Sequence, residues 1–296
     1  PPRVISLQDP RGASACAPAR HHARSAELLG LAGALSIEIT GARQVVHVRF
    51  LPSFVESLDR FGLGLARTEV QAAMLARMEA IYTGLAVSFH EEVPDDVMLN
   101  AYATLEIGGP DPNGFGLFGY DNTPGKDVGN LRLHDSIGGE NASTQADGFP
   151  GYGGVFIESY LWWSGASGLN MARPAGAPKE DALFDEIFAA VRSSPASTAE
   201  VAGLGEPTRV YNVQRAIFAL GSIIGETSAH ELGHSFGLSQ PYGSSTAYHS
   251  AFPGEGCLMD SGVDRSLGER AAQPGYPITR FCDDEVGYLE DILGGS

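Results

Sequence analysis

Ala229-His230-Glu231-Leu232-Gly233-His234-Ser235-Phe236-Gly237-Leu238 is the stretch from which the rest of the chain is best laid out. Residues four apart on a helix stand about 40° from each other around its axis, so His230 and His234 share a face and can bring two imidazole nitrogens to one tetrahedral Zn²⁺. Glu231 then lies beside the metal, where its carboxylate can take a proton from a metal-acidified water and pass it to a leaving amine. The same string also arises on amphipathic helices that simply turn two histidines and a glutamate to solvent. Gly237 argues against that reading, because a glycine three residues after the second histidine can adopt the left-handed conformation that ends a helix and turns the chain back toward the metal.

With Cys257-Leu258-Met259-Asp260 added, His230-Glu231-Leu232-Gly233-His234-Ser235-Phe236-Gly237 resembles the metzincins, zinc endopeptidases that carry the pattern HExxHxxGxx(H/D) and a methionine turn. The resemblance extends to the order of elements from about residue 45 to the C-terminus. It implies an α/β (α+β) zincin-like catalytic domain, with a mixed twisted sheet and long helices above a cleft and an irregular C-terminal half below it. It also implies His230 and His234 as zinc ligands, Glu231 as general base and Met259 in the turn beneath the metal.

One position departs from the pattern. The family's third ligand falls three residues after the glycine, where this chain has Gln240, and a neutral amide oxygen is a poor zinc donor beside imidazole or carboxylate. His249 is the first substitute, since the turn-rich segment 241–248 can fold back and a further imidazole restores a three-histidine site. An exposed loop histidine is its plain alternative. Gln240 itself, Asp260 and Glu255 are the other choices, Glu255 the weakest because Pro253-Gly254-Glu255-Gly256 will not form a helix to present it.

The 296 residues suffice for one large domain, read as an N-terminal arm (1–35) and a catalytic domain (36–296) whose upper and lower halves meet near residue 237. A formal charge of −17, with Lys126 and Lys179 the only lysines, speaks against nucleic acid and against an anionic membrane surface as partners. No apolar run is long enough to span a bilayer. The chain starts at Pro1-Pro2-Arg3 without an initiator methionine, which suggests a mature form of a secreted, bacterial protein that acts on protein or peptide substrates as a monomer. A Cys257–Cys282 bridge fits such a compartment, would pin the methionine turn and would contribute roughly 3 kcal/mol; two buried thiols are the alternative. Cys16 receives no role.

Period-two alternation in 36–40 and 44–50 around Gly41-Ala42 predicts a β-hairpin, with His47 a strand residue. Val70, Met74, Met78 and Ile81 predict an amphipathic helix over 67–82, followed by strands at 85–89 and 102–107. Residues 153–163 predict a strand, and either they or 130–133 are expected to form the edge that pairs with extended substrate; His134 is read as a strand residue. Asp111, Asn113, Asp121 and Asn122 suggest a structural Ca²⁺ in the Gly- and Asp-rich segment between them, against a solvated acidic loop. Leu183 to Val191 predict a helix, residues 193–205 a linker, and residues 283–293 a C-terminal helix. The catalytic helix is expected to start near Tyr211, with its continuity at Gly221 and Gly225 in question.

The function expected from these residues is zinc-dependent hydrolysis of peptide bonds with Glu231 as general base, and Tyr242 or Tyr248 as candidate oxyanion donors. A degenerate zincin scaffold that only binds, and a zinc hydrolase acting on a non-peptide amide, are the alternatives.

Overall fold

The computed structural model describes residues 4–6, 36–38, 43–98, 101–123, 129–140, 151–238, 249, 256–262 and 265–293. Gln240, Tyr242, Tyr248, Glu255 and Cys16 lie outside these residues.

Strand β1 (Val4–Ser6) pairs antiparallel with β2 (Ser36–Glu38). The expected hairpin between 36–40 and 44–50 is therefore not formed. The physical reason lies in β3 (Gln44–Phe50), whose Val45, Val46 and Val48 are buried on both faces and whose two edges are both occupied. It runs parallel to β4 (Val87–His90) on one side and to β5 (Tyr102–Gly108) on the other. Strands covered on both faces read as continuous apolar runs, and parallel neighbours need helical crossovers rather than tight turns. The β3–β4 crossover carries α1 (Pro52–Leu58) and α2 (Arg67–Ile81), and the predicted Val70, Met74, Met78 and Ile81 stripe of α2 is buried.

Beyond β5 the sheet continues through β6 (Gly119–Tyr120), β7 (Ser136–Ile137), β8 (Gly139–Glu140) and β9 (Tyr152–Phe156). Strands β7 and β9 pair parallel with β5, whereas β6 and β8 pair antiparallel with β9. The main order is β4-β3-β5-β9-β6, so β9 is internal and β6 stands at the end. Neither segment expected at the substrate-binding edge occupies it. Residues 130–134 lie outside the strands, with Leu133 and His134 in a turn. The predicted strand over 153–163 stops at Phe156, and Ile157–Trp163 winds into a 3-10 helix. Nearly every side chain from Ile157 to Trp163 is buried, so the packing around this segment overrides its β-propensity.

The long helix α5 spans Pro207–Ser235. It starts four residues earlier than expected because Glu206 caps it, accepting from the N–H groups of Thr208 (2.9 Å) and Arg209 (2.7 Å), with proline in the first turn. Gly221 and Gly225 do not interrupt it. A Cβ at Gly221 would come within 2.5 Å of Ala73 Cβ, and one at Gly225 within 2.6 Å of the Met74 carbonyl oxygen, so these glycines let α5 lie directly on the backbone of α2. Helix α3 (Ala182–Ser193) precedes it, and the predicted linker contains a short α4 (Thr198–Val201) closed by a Ser197–Glu200 capping box. After α5 come α6 (Leu267–Arg270) and α7 (Asp283–Leu293). The whole is a mixed α/β protein with a mixed sheet. No described helix is long and apolar enough to cross a membrane.

Candidate metal centre

The last turns of α5 carry His230, Glu231 and His234. The helix stops in a Schellman arrangement: Gly237 N–H reaches the His234 carbonyl (2.8 Å), Leu238 N–H reaches the Gly233 carbonyl (2.8 Å), and Gly237 adopts φ +91°. That is the stop the sequence signals, and it sends the chain away just after the second histidine. His249, fifteen positions on from His234, returns to the same place, its ring centroid 5.4 Å from that of His230 and 5.4 Å from that of His234.

The ligand nitrogens of the three histidines all lie within 4.8 Å of one another, the single such cluster of His, Cys, Asp or Glu among the described residues. The Nε2 atoms of His230 and His234 are 3.1 Å apart. Two nitrogens bound tetrahedrally to zinc at about 2.0–2.1 Å each stand about 3.3 Å apart, so the pair needs almost no adjustment. His230 Nδ1 lies 2.7 Å from the Leu258 carbonyl oxygen. Donation to that oxygen places the ring's proton on Nδ1 and leaves Nε2 as the free lone pair, the tautomer a metal ligand requires. Burial, with His234 and His249 alongside, holds the His230 pKa well below its usual value, so the ring stays neutral. Asp260, buried next to Met259, is not among the clustered residues. These donors fit zinc.

Leu258 and Met259 form the floor. Leu258 N–H bonds the Arg280 carbonyl (2.8 Å), and Cys257 and Cys282 are disulfide-bonded with Cα atoms 5.4 Å apart, as the sequence suggests. Met259 is fully buried, with its sulfur 2.6 Å from where a Cβ on Gly233 would sit. The glycine inside His-Glu-Leu-Gly-His thus admits the methionine against the helix. A second feature of the floor has no motif to announce it: Arg265 Nη1 also donates to the Leu258 carbonyl (3.1 Å), while its guanidinium pairs with Glu226 of α5 and with Glu269 (2.8 Å) and donates to Thr279 (3.0 Å).

Glu231 is 6 % exposed and opens onto a cavity of about 890 Å³ that also borders the three histidines. Burial pushes its carboxyl up to about 8; the Asp121 carboxylate adds to the shift, and the Asp121 N–H and the Arg270 guanidinium oppose it. A divalent cation at the adjacent histidines would draw it back toward the ionised form. Strand β6 crosses just above: a Cβ at Gly119 would come within 2.5 Å of Glu231 Oε1, so the sheet's end strand and the carboxylate touch because position 119 lacks a side chain. Sequence reasoning missed this strand, two residues long and without alternation.

In the Gly- and Asp-rich segment, Asp111 accepts from the backbone of Asn113 (2.8 Å), Phe115 (3.0 Å) and Leu117 (3.0 Å). Asn122 bonds the backbone of Gly138 and Gly139. These side chains tie the loop together through the backbone around them.

Fold and site together define a mixed α/β protein with a three-histidine cluster under the end of its sheet. No family model, curated protein or solved structure matches the chain.

Proposed function

We propose that the chain is a zinc-dependent endopeptidase of the metzincin type, in which His230, His234 and His249 hold the metal. The observation that carries this reading is the convergence of three imidazoles beside a buried glutamate at the edge of a large cleft. In this reading His249 stands in for the third ligand that the family pattern puts three residues after the glycine, where this chain has Gln240. When bound, zinc supplies Lewis acidity, making water acidic enough to attack at neutral pH and drawing charge from a carbonyl. Glu231 accepts the proton of the attacking water on a carboxylate oxygen and delivers it to the departing amine. Peptide rather than another amide is favoured by β6, the end strand next to Glu231, along which an extended chain can add by backbone pairing. The Cys257–Cys282 bridge supports secretion as the setting.

The deciding experiment is Glu231→Ala in the zinc-loaded protein. The variant should keep fold and metal while hydrolysis of casein or a peptide library falls by several orders of magnitude. Undiminished cleavage would sink the mechanism; a wild-type protein that takes up no zinc would leave a binding scaffold as the better reading.

A further inference from the structure

The cavity next to the histidines is bordered by a cation that touches none of the groups assigned to hydrolysis and reaches Glu231 only as a distant charge. Arg270, the last residue of α6, is 4 % exposed and borders this cavity. Its guanidinium carbon stands 5.4 Å over the Phe118 ring, and Nη2 has one long contact, 3.5 Å, to the Gly262 carbonyl. Nε has no hydrogen-bond partner, and among the described residues no carboxylate stands within ion-pair distance of Arg270. Its neighbour Arg265, by contrast, is paired with two glutamates. Glu269 and Glu231 act on Arg270 only from beyond ion-pair distance. A buried cation without a directly hydrogen-bonded counter-charge is costly, and its surroundings are walls of the same cavity: Phe118, Gly262, Trp163 and Leu267. Phe118 and Trp163 pack against each other at 4.6 Å and line the approach with apolar surface. The arrangement suits a short side chain whose methylenes lie on aromatic rings and whose end carries a negative charge.

We propose that Arg270 is a specificity-determining residue that receives a substrate carboxylate, so that the protein cleaves peptide bonds close to an aspartate or glutamate side chain. The cleavage rests on the hydrolase reading; the recognition of the carboxylate does not. Charge-assisted hydrogen bonds from a desolvated guanidinium discriminate strongly, because a neutral amide in the same place leaves the cation unpaired.

The test uses the zinc-loaded full chain and paired peptides that differ only by Glu against Gln, or Asp against Asn, at each of three positions on either side of the cleaved bond. At one position kcat/KM should favour the acid by about 10- to 100-fold, and the ratio should fall toward one in Arg270→Gln and be partly retained in Arg270→Lys. A wild-type ratio near one at every position overturns the proposal whether or not the variants fold. So does Arg270→Gln lowering kcat equally on all peptides with the ratio unchanged, which would make the arginine an oxyanion donor. Free and amidated C-termini form a further arm: a preference that follows the terminal carboxylate and ignores side chains overturns the assignment to Asp and Glu. If no peptide is cleaved, the hydrolase reading fails and the same Glu and Gln peptides are titrated by tryptophan fluorescence, with Trp163 as reporter. Tenfold tighter binding of the Glu peptide then upholds the role of Arg270, and equal binding overturns it.

Discussion

His230 Nδ1 lies 2.7 Å from the backbone oxygen of Leu258, so the first histidine of the helix is oriented by the turn that forms the floor of the site. The same oxygen receives Arg265, whose side chain is 2 % exposed and is paired with the fully buried Glu226 of α5. Helix, floor and the tautomer of His230 are thereby tied through one carbonyl and one guanidinium.

Arg265→Leu should be among the most damaging single changes away from the ligands. It leaves Glu226 charged and unpaired in the core, which costs about 3–5 kcal/mol. Urea unfolding of the zinc-loaded protein measures the loss; a cost under about 1 kcal/mol would show that the pair is dispensable.

His249→Ala should weaken zinc binding by more than about 100-fold, beyond the 10- to 100-fold typical of losing an outer-sphere partner. Competition with a chelator of known affinity reads the change. The control is Gln240→Ala: if that variant loses zinc while His249→Ala keeps it, the assignment of the third ligand is wrong.

Gly225→Ala sets two effects against each other. Helix propensity favours alanine by about 1 kcal/mol. The new Cβ, however, would meet the Met74 carbonyl oxygen at 2.6 Å, and backbone cannot swing aside as a flexible side chain can. Overpacking of this kind costs about 1–3 kcal/mol, so the variant should be net destabilised. A higher melting temperature than wild type would contradict the direct contact of α2 with α5.

Glu285, at the start of α7, makes stability depend on pH. Burial, helped by Asp260, raises its carboxyl from 4.5 to about 7, against the opposing Cys282 N–H. A pKa raised on folding means that the folded protein holds a proton which the unfolded chain releases between these values. The stabilisation is fully present below pH 4.5 and is lost as pH rises through about 7. Glu285→Gln keeps an acceptor for Cys282 N–H and removes the titration, so its stability curve between pH 5 and 8 should be flatter than that of wild type. Parallel curves for the two proteins would remove Glu285 as the cause.

Much of the site could be read from local spacing. His230, Glu231 and His234 come together because a helix repeats every few residues, and Gly237 closes that helix through its own backbone; neither depends on distant chain. The buried stripe of α2, the C-terminal helix and the Cys257–Cys282 pair were legible for similar reasons, as period, capping charge and residue count. Pairing partners were not legible. Strand β3 looked like half of a hairpin because alternation describes a strand's faces and says nothing about which strands take its edges. The end strand β6 has two residues and no pattern, and becomes significant only because Gly119 is laid against Glu231 from more than a hundred positions away. Whether the third imidazole came from position 249 depended on where a turn-rich segment delivers it. Arg265 and Arg270, five residues apart, could not be told apart in the sequence: both border the cavity, but one is ion-paired with two glutamates and the other has no carboxylate within ion-pair distance among the described residues. Local geometry sets which side chains share a helix face, whereas the partner of a buried charge is set by which distant elements pack around it.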